Sequence, residues 1–240
     1  MAVVLWKYSN PYAARSEQPT RQFTFNGHRV DIAQNLGVKI DAHHNTSEKL
    51  WDGSFLLASF LESAYFRPGF WHGKRCVELG CGTGLVGIVA WLHGARVALT
   101  DQEAALERAR QNVTANVGRV SAADDTLSPS NITVEPLDWC KVQTKCVTSC
   151  EEKKYDVILG SEVVYLPEMS VHLLATIERL SKPGTDIFIC YKERGLGEDN
   201  FWKMLAEKGV TVETMPSKYF PEDFAHSSYR ILKFQLANTC

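Results

Sequence analysis

The run Glu78-Leu79-Gly80-Cys81-Gly82-Thr83-Gly84 carries the densest chemical signal in the chain. Glycines at alternate positions let the backbone turn tightly and let a ligand approach with no Cβ in the way. Gly82, Gly84 and Gly87 also spell GxGxxG, the spacing of a dinucleotide site, but a lone match of that kind is weak. Glu78 separates the two readings. A carboxylate beside a diphosphate is unfavourable, whereas it suits a cationic sulfonium ligand that also carries an amino group. Asp101, at the end of the next apolar run, can accept hydrogen bonds from two ribose hydroxyls and serves either ligand. A second acidic step, Glu162-Val163-Val164-Tyr165, sets a carboxylate and a phenol three residues apart.

These residues need a scaffold that brings strand ends together. After Pro68-Gly69 the sequence alternates strand and helix patterns. Strands are expected at Arg75–Leu79, Arg96–Thr100, Ile132–Leu137, Tyr155–Leu159 and Asp186–Tyr191, with helices at Leu85–Leu92, Glu103–Val117, Leu166–Leu180 and Asp199–Lys208. Val210–Thr214 and Arg230–Leu236 read as a closing pair joined only by a loop, hence an antiparallel edge. Upstream, Phe23, Phe25, Val30 and Ile32 alternate around Asn26-Gly27, a hairpin signal, and Trp51, Phe55, Ala58, Leu61 and Tyr65 recur at helical spacing over 51–66. The stretches 118–131 and 140–154 are polar and read as surface loops. The fold class expected is α/β: one Rossmann-like, seven-strand, mostly parallel sheet with an antiparallel C-terminal edge and an N-terminal β-hairpin. Residues 1–19 read as a flexible arm, and 20–240 as one domain whose first part, 20–49, is the hairpin and a loop. Glu78 and Asp101 then stand at the carboxyl ends of neighbouring strands, where open α/β sheets bind ligands.

The Glu-x-Gly-x-Gly-x-Gly turn and its spacing to Asp101 resemble motif I of the class I methyltransferases, which use S-adenosylmethionine and release S-adenosylhomocysteine. The likeness extends through Leu50-Trp51-Asp52, Leu57-Ala58-Ser59-Phe60-Leu61-Glu62, Gly84-Leu85-Val86-Gly87-Ile88-Val89-Ala90, Leu137-Asp138-Trp139 and Leu159-Gly160-Ser161-Glu162-Val163-Val164-Tyr165. Together these resemble the methyltransferase-like 21 group of the non-histone protein-lysine methyltransferases, over roughly residues 20–236. By that resemblance Trp51 encloses the cofactor, and Glu78, Gly80, Cys81 and Gly82 wrap its methionine and ribose portions. Asp101 holds the ribose, Asp138 and Trp139 lie against the adenine, and Ser161 offers a backbone contact. Glu162 and Tyr165 then serve the acceptor, in the less common Glu form of the acid-x-x-Tyr pattern. Two valines stand where nucleic-acid amino-methyltransferases carry Pro-Pro.

The reaction implied needs an in-line nucleophile and no metal. A free lysine has a pKa near 10.4, so about one in a thousand is neutral at physiological pH. Glu162 is expected to align the ammonium, and Tyr165 to orient a nitrogen hydrogen as the amine loses its proton to water. Tyr191, Lys192 and Glu193, and the aromatic loop with Tyr219, Phe220, Phe224 and His226, are further candidates on the acceptor side, as are His43 and His44 over the cofactor. Histidine methylation, a nucleotide-cofactor oxidoreductase and a non-catalytic S-adenosylmethionine-binding partner stay open at this stage.

Composition narrows the partners. A net charge of −2 gives no electrostatic footprint for nucleic acid. Seven cysteines without CxxC spacing read as free thiols in a reducing compartment, with a metal at Cys140, Cys146 and Cys150 disfavoured by the spacing. The Asn-x-Ser/Thr matches at Asn45, Asn112 and Asn131 carry no weight without a secretory signal. No stretch approaches a membrane span. The expectation is a monomer in the cytoplasm, with a nuclear pool also open, that acts on a protein such as a chaperone or translation factor.

Overall fold

The computed structural model describes residues 17–40, 45–142, 154–195 and 197–236. His43, His44, Cys146, Cys150 and most of the expected arm lie outside them. The chain opens with a hairpin of β1 (Thr20–Phe25) and β2 (His28–Ala33), paired in register about Asn26-Gly27, both at positive φ as the turn requires. Helix α1 (Asp52–Leu61) follows. It stops four residues short of Tyr65, the last periodic position, because Tyr65, Phe66, Phe70 and Trp71 pack against the core from turns rather than from a helix.

The main sheet has the seven strands expected, in the order β5-β4-β3-β6-β7-β9-β8. These are β3 (Arg75–Leu79), β4 (Arg96–Asp101), β5 (Ile132–Pro136), β6 (Tyr155–Ser161), β7 (Ser181–Lys192), β8 (Val212–Thr214) and β9 (Tyr229–Phe234). The five from β5 to β7 run parallel, and β9 pairs antiparallel with both β7 and β8. Helices α2 (Leu85–Leu92), α3 (Leu106–Ser121), α4 (Ser170–Leu180) and α5 (Asp199–Glu207) complete the layers. One apolar cluster gathers α1, α2 and the hairpin with Phe60 and Phe188; another gathers α4 and α5 around Ile158, Ile177 and Phe201.

Other boundaries shift as well: α4 begins at Ser170, four residues late, after the 3-10 turn Pro167–Met169, and two further shifts have a visible cause. Strand β7 begins five residues early, because Lys182-Pro183-Gly184 is a bulge: Tyr155 pairs with Ser181 and Val157 with Asp186. Thr185 Oγ1 closes the bulge by donating to Tyr155 O at 2.6 Å. Helix α3 runs to Ser121, into the stretch expected to be loop, because Val117 and Val120 continue its buried face.

Candidate active site

The carboxyl ends of β3, β4 and β6 meet at the glycine turn. Thr100 Oγ1 donates to Glu78 O at 2.6 Å, and Cys81 N donates to Thr100 O at 2.9 Å, so the turn is pinned to β4. Gly82 N donates to Asp101 Oδ2 at 2.9 Å, and Gln102 N to Asp101 Oδ1 at 2.8 Å. Asp101 is thereby aimed along the turn with lone pairs left over. Gly80 sits at φ 63°, and Val163 Cγ1 lies 2.9 Å from the space its Cβ would fill, with the Trp139 ring at 3.6 Å. Gly80 therefore joins three segments: the turn, the step after β5 and the acid-x-x-Tyr step after β6.

Glu78 differs in detail from its sequence-based picture. Its side chain is buried beneath the turn, and Oε2 accepts from Gly87 N at 2.8 Å in the first turn of α2. Burial pushes its pKa up to about 8; the Gly87 hydrogen bond pulls it down and the charge of Asp101 adds to the rise. Asp101 is raised as well, chiefly by burial, and the Cys81 thiol is raised by burial and by both carboxylates. No basic residue lies within 78–84. The turn itself carries no positive charge.

A loop closes over the turn. The residues Thr46–Glu48 form a 3-10 turn whose Ser47 Cα lies 3.6 Å from the space a Cβ on Gly82 would fill. Glu48 is tied to Arg108 of α3 at 3.1 Å, and Gln34 Oε1 accepts from Leu50 N at 3.1 Å. Trp51, half-buried just before α1, donates its indole N–H to Thr46 O at 2.8 Å, so its ring braces this loop. Asp138 caps the 3-10 turn Trp139–Lys141 through Cys140 N at 3.0 Å, and pairs with Lys141 at 3.0 Å. Its pKa is lowered, first by the Lys141 hydrogen bond. Beside it a cleft of about 690 Å³, lined by Gln102, Leu137, Asp138, Lys141 and Arg179 among others, opens between the loops after β4 and β5.

On the other side, Ser161 is buried and its hydroxyl lies 2.8 Å from that of Ser54 on α1. Glu162 stands in the left-handed region at φ 56°, with its N–H donating to Cys190 O at 2.7 Å. Its Oε2 accepts from Arg194 Nη1 at 2.7 Å, while its buried Oε1 has no hydrogen-bond partner. Burial raises its pKa and Arg194 opposes the rise. Tyr165 lies half-buried in the loop between β6 and α4. Tyr229 on β9 is buried, its hydroxyl pKa raised by burial and by the nearby Glu162 and Asp52.

The wider acceptor-side candidates mostly pack. Tyr219 and Phe220 lean on Tyr65 and Phe60, and buried Phe224 packs between Phe55, which is tilted to it, and the edge-on ring of Tyr229. Tyr191 lies against Trp202, and Glu193 pairs with Arg230 at 3.3 Å; His226 is exposed. Ser54, Arg194 and Tyr229 line the site but carry no local sequence signal, and Asp52, within the Leu50-Trp51-Asp52 run, joins them without having been given a role. Among the described residues no cluster could hold a metal ion, and no helix is long and apolar enough to cross a membrane.

A profile of a family described as lysine methyltransferase matches residues 31–208. The protein N-lysine methyltransferase METTL21A of Danio rerio is 34% identical over 203 residues, 82% of each chain. Its Mus musculus counterpart is 33% identical, covering 87% of this chain and 86% of its own. EEF1A lysine methyltransferase 3 of Mus musculus is 32% identical, covering 82% and 77%. Among solved structures, the magnesium protoporphyrin IX methyltransferase of Synechocystis, with bound S-adenosylmethionine, aligns with a TM-score of 0.52 at 16% identity, covering 78% of both chains. A glycopeptide N-methyltransferase complexed with the same molecule gives 0.51 at 12% identity, covering 69% and 82%. At such identity these two speak for the fold.

Proposed function

The chain belongs to the lysine methyltransferase family, and from that premise we propose how its residues divide the work of methylating a protein lysine with S-adenosylmethionine. That donor supplies an electrophilic methyl group on a sulfonium. The residues of the crevice fit such a ligand: a glycine turn with no Cβ over its bend, and two carboxylates, Glu78 and Asp101, whose pKa values burial raises. Two carboxylates, one buried and one half-buried, at a turn that holds no basic residue are the observation that carries the reading, since a cationic donor suits them and a diphosphate does not.

Gly80, Cys81 and Gly82 would wrap the donor while Asp101 accepts from its ribose. Glu78 acts from below, shaping the turn through Gly87, and would supply negative charge once a cationic donor draws its raised pKa back down. Trp51 and the loop it braces would exclude water from one side, and Trp139 and Asp138 would border the adenine, with the backbone of Ser161 at the far wall. Glu162 and Tyr165 would receive the acceptor nitrogen. Holding donor and acceptor in line contributes up to about 7–11 kcal/mol in ideal cases, so positioning can supply much of the rate. We assign the acceptor to a translation factor, in keeping with the elongation factor in the name of one relative, and the enzyme to the cytoplasm as a monomer.

The test is tritiated S-adenosylmethionine with a methylation-poor cell lysate, the labelled band being identified by mass spectrometry. The expected result is label on lysine, lost in both Asp101→Ala and Tyr165→Phe. Calorimetry should find S-adenosylhomocysteine affinity lowered roughly 10–100-fold by the aspartate change, which removes a charged hydrogen-bond acceptor, and unchanged by the tyrosine change. Loss of cofactor affinity in Tyr165→Phe would refute this division of labour.

A further inference from the structure

A carboxylate beside the acceptor creates a difficulty. It attracts an incoming ammonium, yet the same charge holds the proton on, and only the neutral amine can attack the methyl group. Glu162 is placed with unusual firmness for such a role. It is a non-glycine residue at φ 56°, fixed through Cys190 O, and its Oε1 lies 2.6 Å from the space a Cβ on Gly53 would fill. The glycine at position 53 is what admits the side chain against α1.

The charges facing Glu162 come from several elements. From the end of β7 and beyond come Lys192 and Arg194, with the buried thiol of Cys190 beneath. From α1 comes Asp52, which is half-exposed and 3.9 Å from Arg21 of β1. From β9 comes the Tyr229 hydroxyl, with Lys192 Nζ 5.7 Å from its ring centroid. Of these, Arg194 makes the direct ion pair, at 2.7 Å and largely shielded from water. Its backbone is held in turn, because Arg194 N donates to the buried Glu198 Oε1 at 2.9 Å. Arginine stays charged at any accessible pH, so the pair is neutral overall whenever Glu162 is ionised.

We propose that Arg194 is a positioning residue that cancels the charge of Glu162, letting the carboxylate orient the acceptor nitrogen without locking that nitrogen in its protonated form. Oε1 is enclosed against Gly53 of α1 and fixes the direction of the side chain, so the acceptor N–H is received by Oε2, which keeps a second lone pair beside the guanidinium. The acceptor then gives its proton to water, its lone pair forms the new C–N bond, and the C–S bond breaks to leave S-adenosylhomocysteine. This inference rests on the reading of Glu162 as an acceptor-side residue.

The test compares wild-type enzyme, Arg194→Gln, Arg194→Lys and the double variant Glu162→Gln/Arg194→Gln. The readout is the initial rate of tritium incorporation into the labelled lysate band from pH 6.5 to 10, with S-adenosylhomocysteine calorimetry to show that each variant is folded. Arg194→Gln is expected to move the alkaline rise of the rate upward by about one to three pH units, since an unpaired carboxylate raises a neighbouring amine by that much. Arg194→Lys should hold the wild-type position, and the double variant should return to it whatever its absolute rate. A rate lowered equally at every pH in Arg194→Gln, or a double variant that stays shifted, overturns the proposal alone. A wild-type enzyme that labels no protein, or labels a residue other than lysine, overturns the functional reading and this inference with it.

Discussion

Gly80 shows how much of the site depends on one absent atom. Its φ of 63° belongs to the region that costs a side-chain-bearing residue about 1–2 kcal/mol, and Val163 already fills the space beside it. Gly80→Ala is therefore expected to lower the melting temperature by roughly 2–8 °C and to weaken S-adenosylhomocysteine binding measured by calorimetry. Unchanged melting and affinity would mean that the turn has slack the distances do not show. At this scale the sequence was informative where chemistry and chain spacing coincide, as in the turn and Asp101. It was silent about Ser54, Arg194 and Tyr229, because their approach to Ser161 and Glu162 is made by pairing between distant elements: Lys192 opposite Tyr229 on β7 and β9, and α1 against the end of β6. Glu78 was found but its direction was not; a carboxylate just before a glycine turn can point up at a ligand or down at a helix, and only the Gly87 hydrogen bond decides.

Among the elements, the hairpin is attached by a pair of asparagines on α3. Asn112 Oδ1 accepts from Ala33 N at 2.9 Å, and its Nδ2 donates to Ala33 O and to Thr83 O. One turn later Asn116 does the same for Asp31, accepting from its N at 2.9 Å and donating to its O at 2.8 Å. The helix thus satisfies the free edge of β2 with side chains, four residues apart to match alternate strand positions. Both asparagines are buried. Asn112→Ala strands several buried polar groups and should cost about 2–4 kcal/mol, read as a lower denaturant midpoint; an unaltered midpoint would show that the hairpin docks by its apolar face alone. In the sequence Asn112 stood out only as part of an Asn-x-Ser/Thr match. Elements bounded by glycine were read to the residue, such as α2 between Gly84 and His93-Gly94. The helix α1 was overdrawn because aromatic residues spaced for a helix also pack well from successive turns.

For the whole molecule, the buried carboxylate at the base of the crevice sets a pH dependence. The Glu78 pKa lies at about 8 in the fold against an ordinary 4.5, so between those values the native protein holds a proton that the unfolded chain has released. Stability of the ligand-free protein must then fall as pH rises through that window. Glu78→Gln, whose amide oxygen can still accept from Gly87, should flatten the fall, with the variant gaining on wild type between about pH 4.5 and 8, a constant difference above pH 8, and the two converging below about pH 4.5. Urea titrations at several pH values check this; equal slopes would mean that Glu78 is ionised in the empty crevice.

The strand order has a consequence for how such a chain is assembled as it is synthesised. Strand β9 lies between β7 and β8 but is made after both. A nascent polypeptide exposed as far as Thr214 already contains the glycine turn, Asp101 and the acid-x-x-Tyr step, yet it lacks Tyr229 and leaves one side of β7 without its hydrogen-bonding neighbour. The residues that grip the donor can therefore all be made before Tyr229, the last member of the acceptor side, emerges.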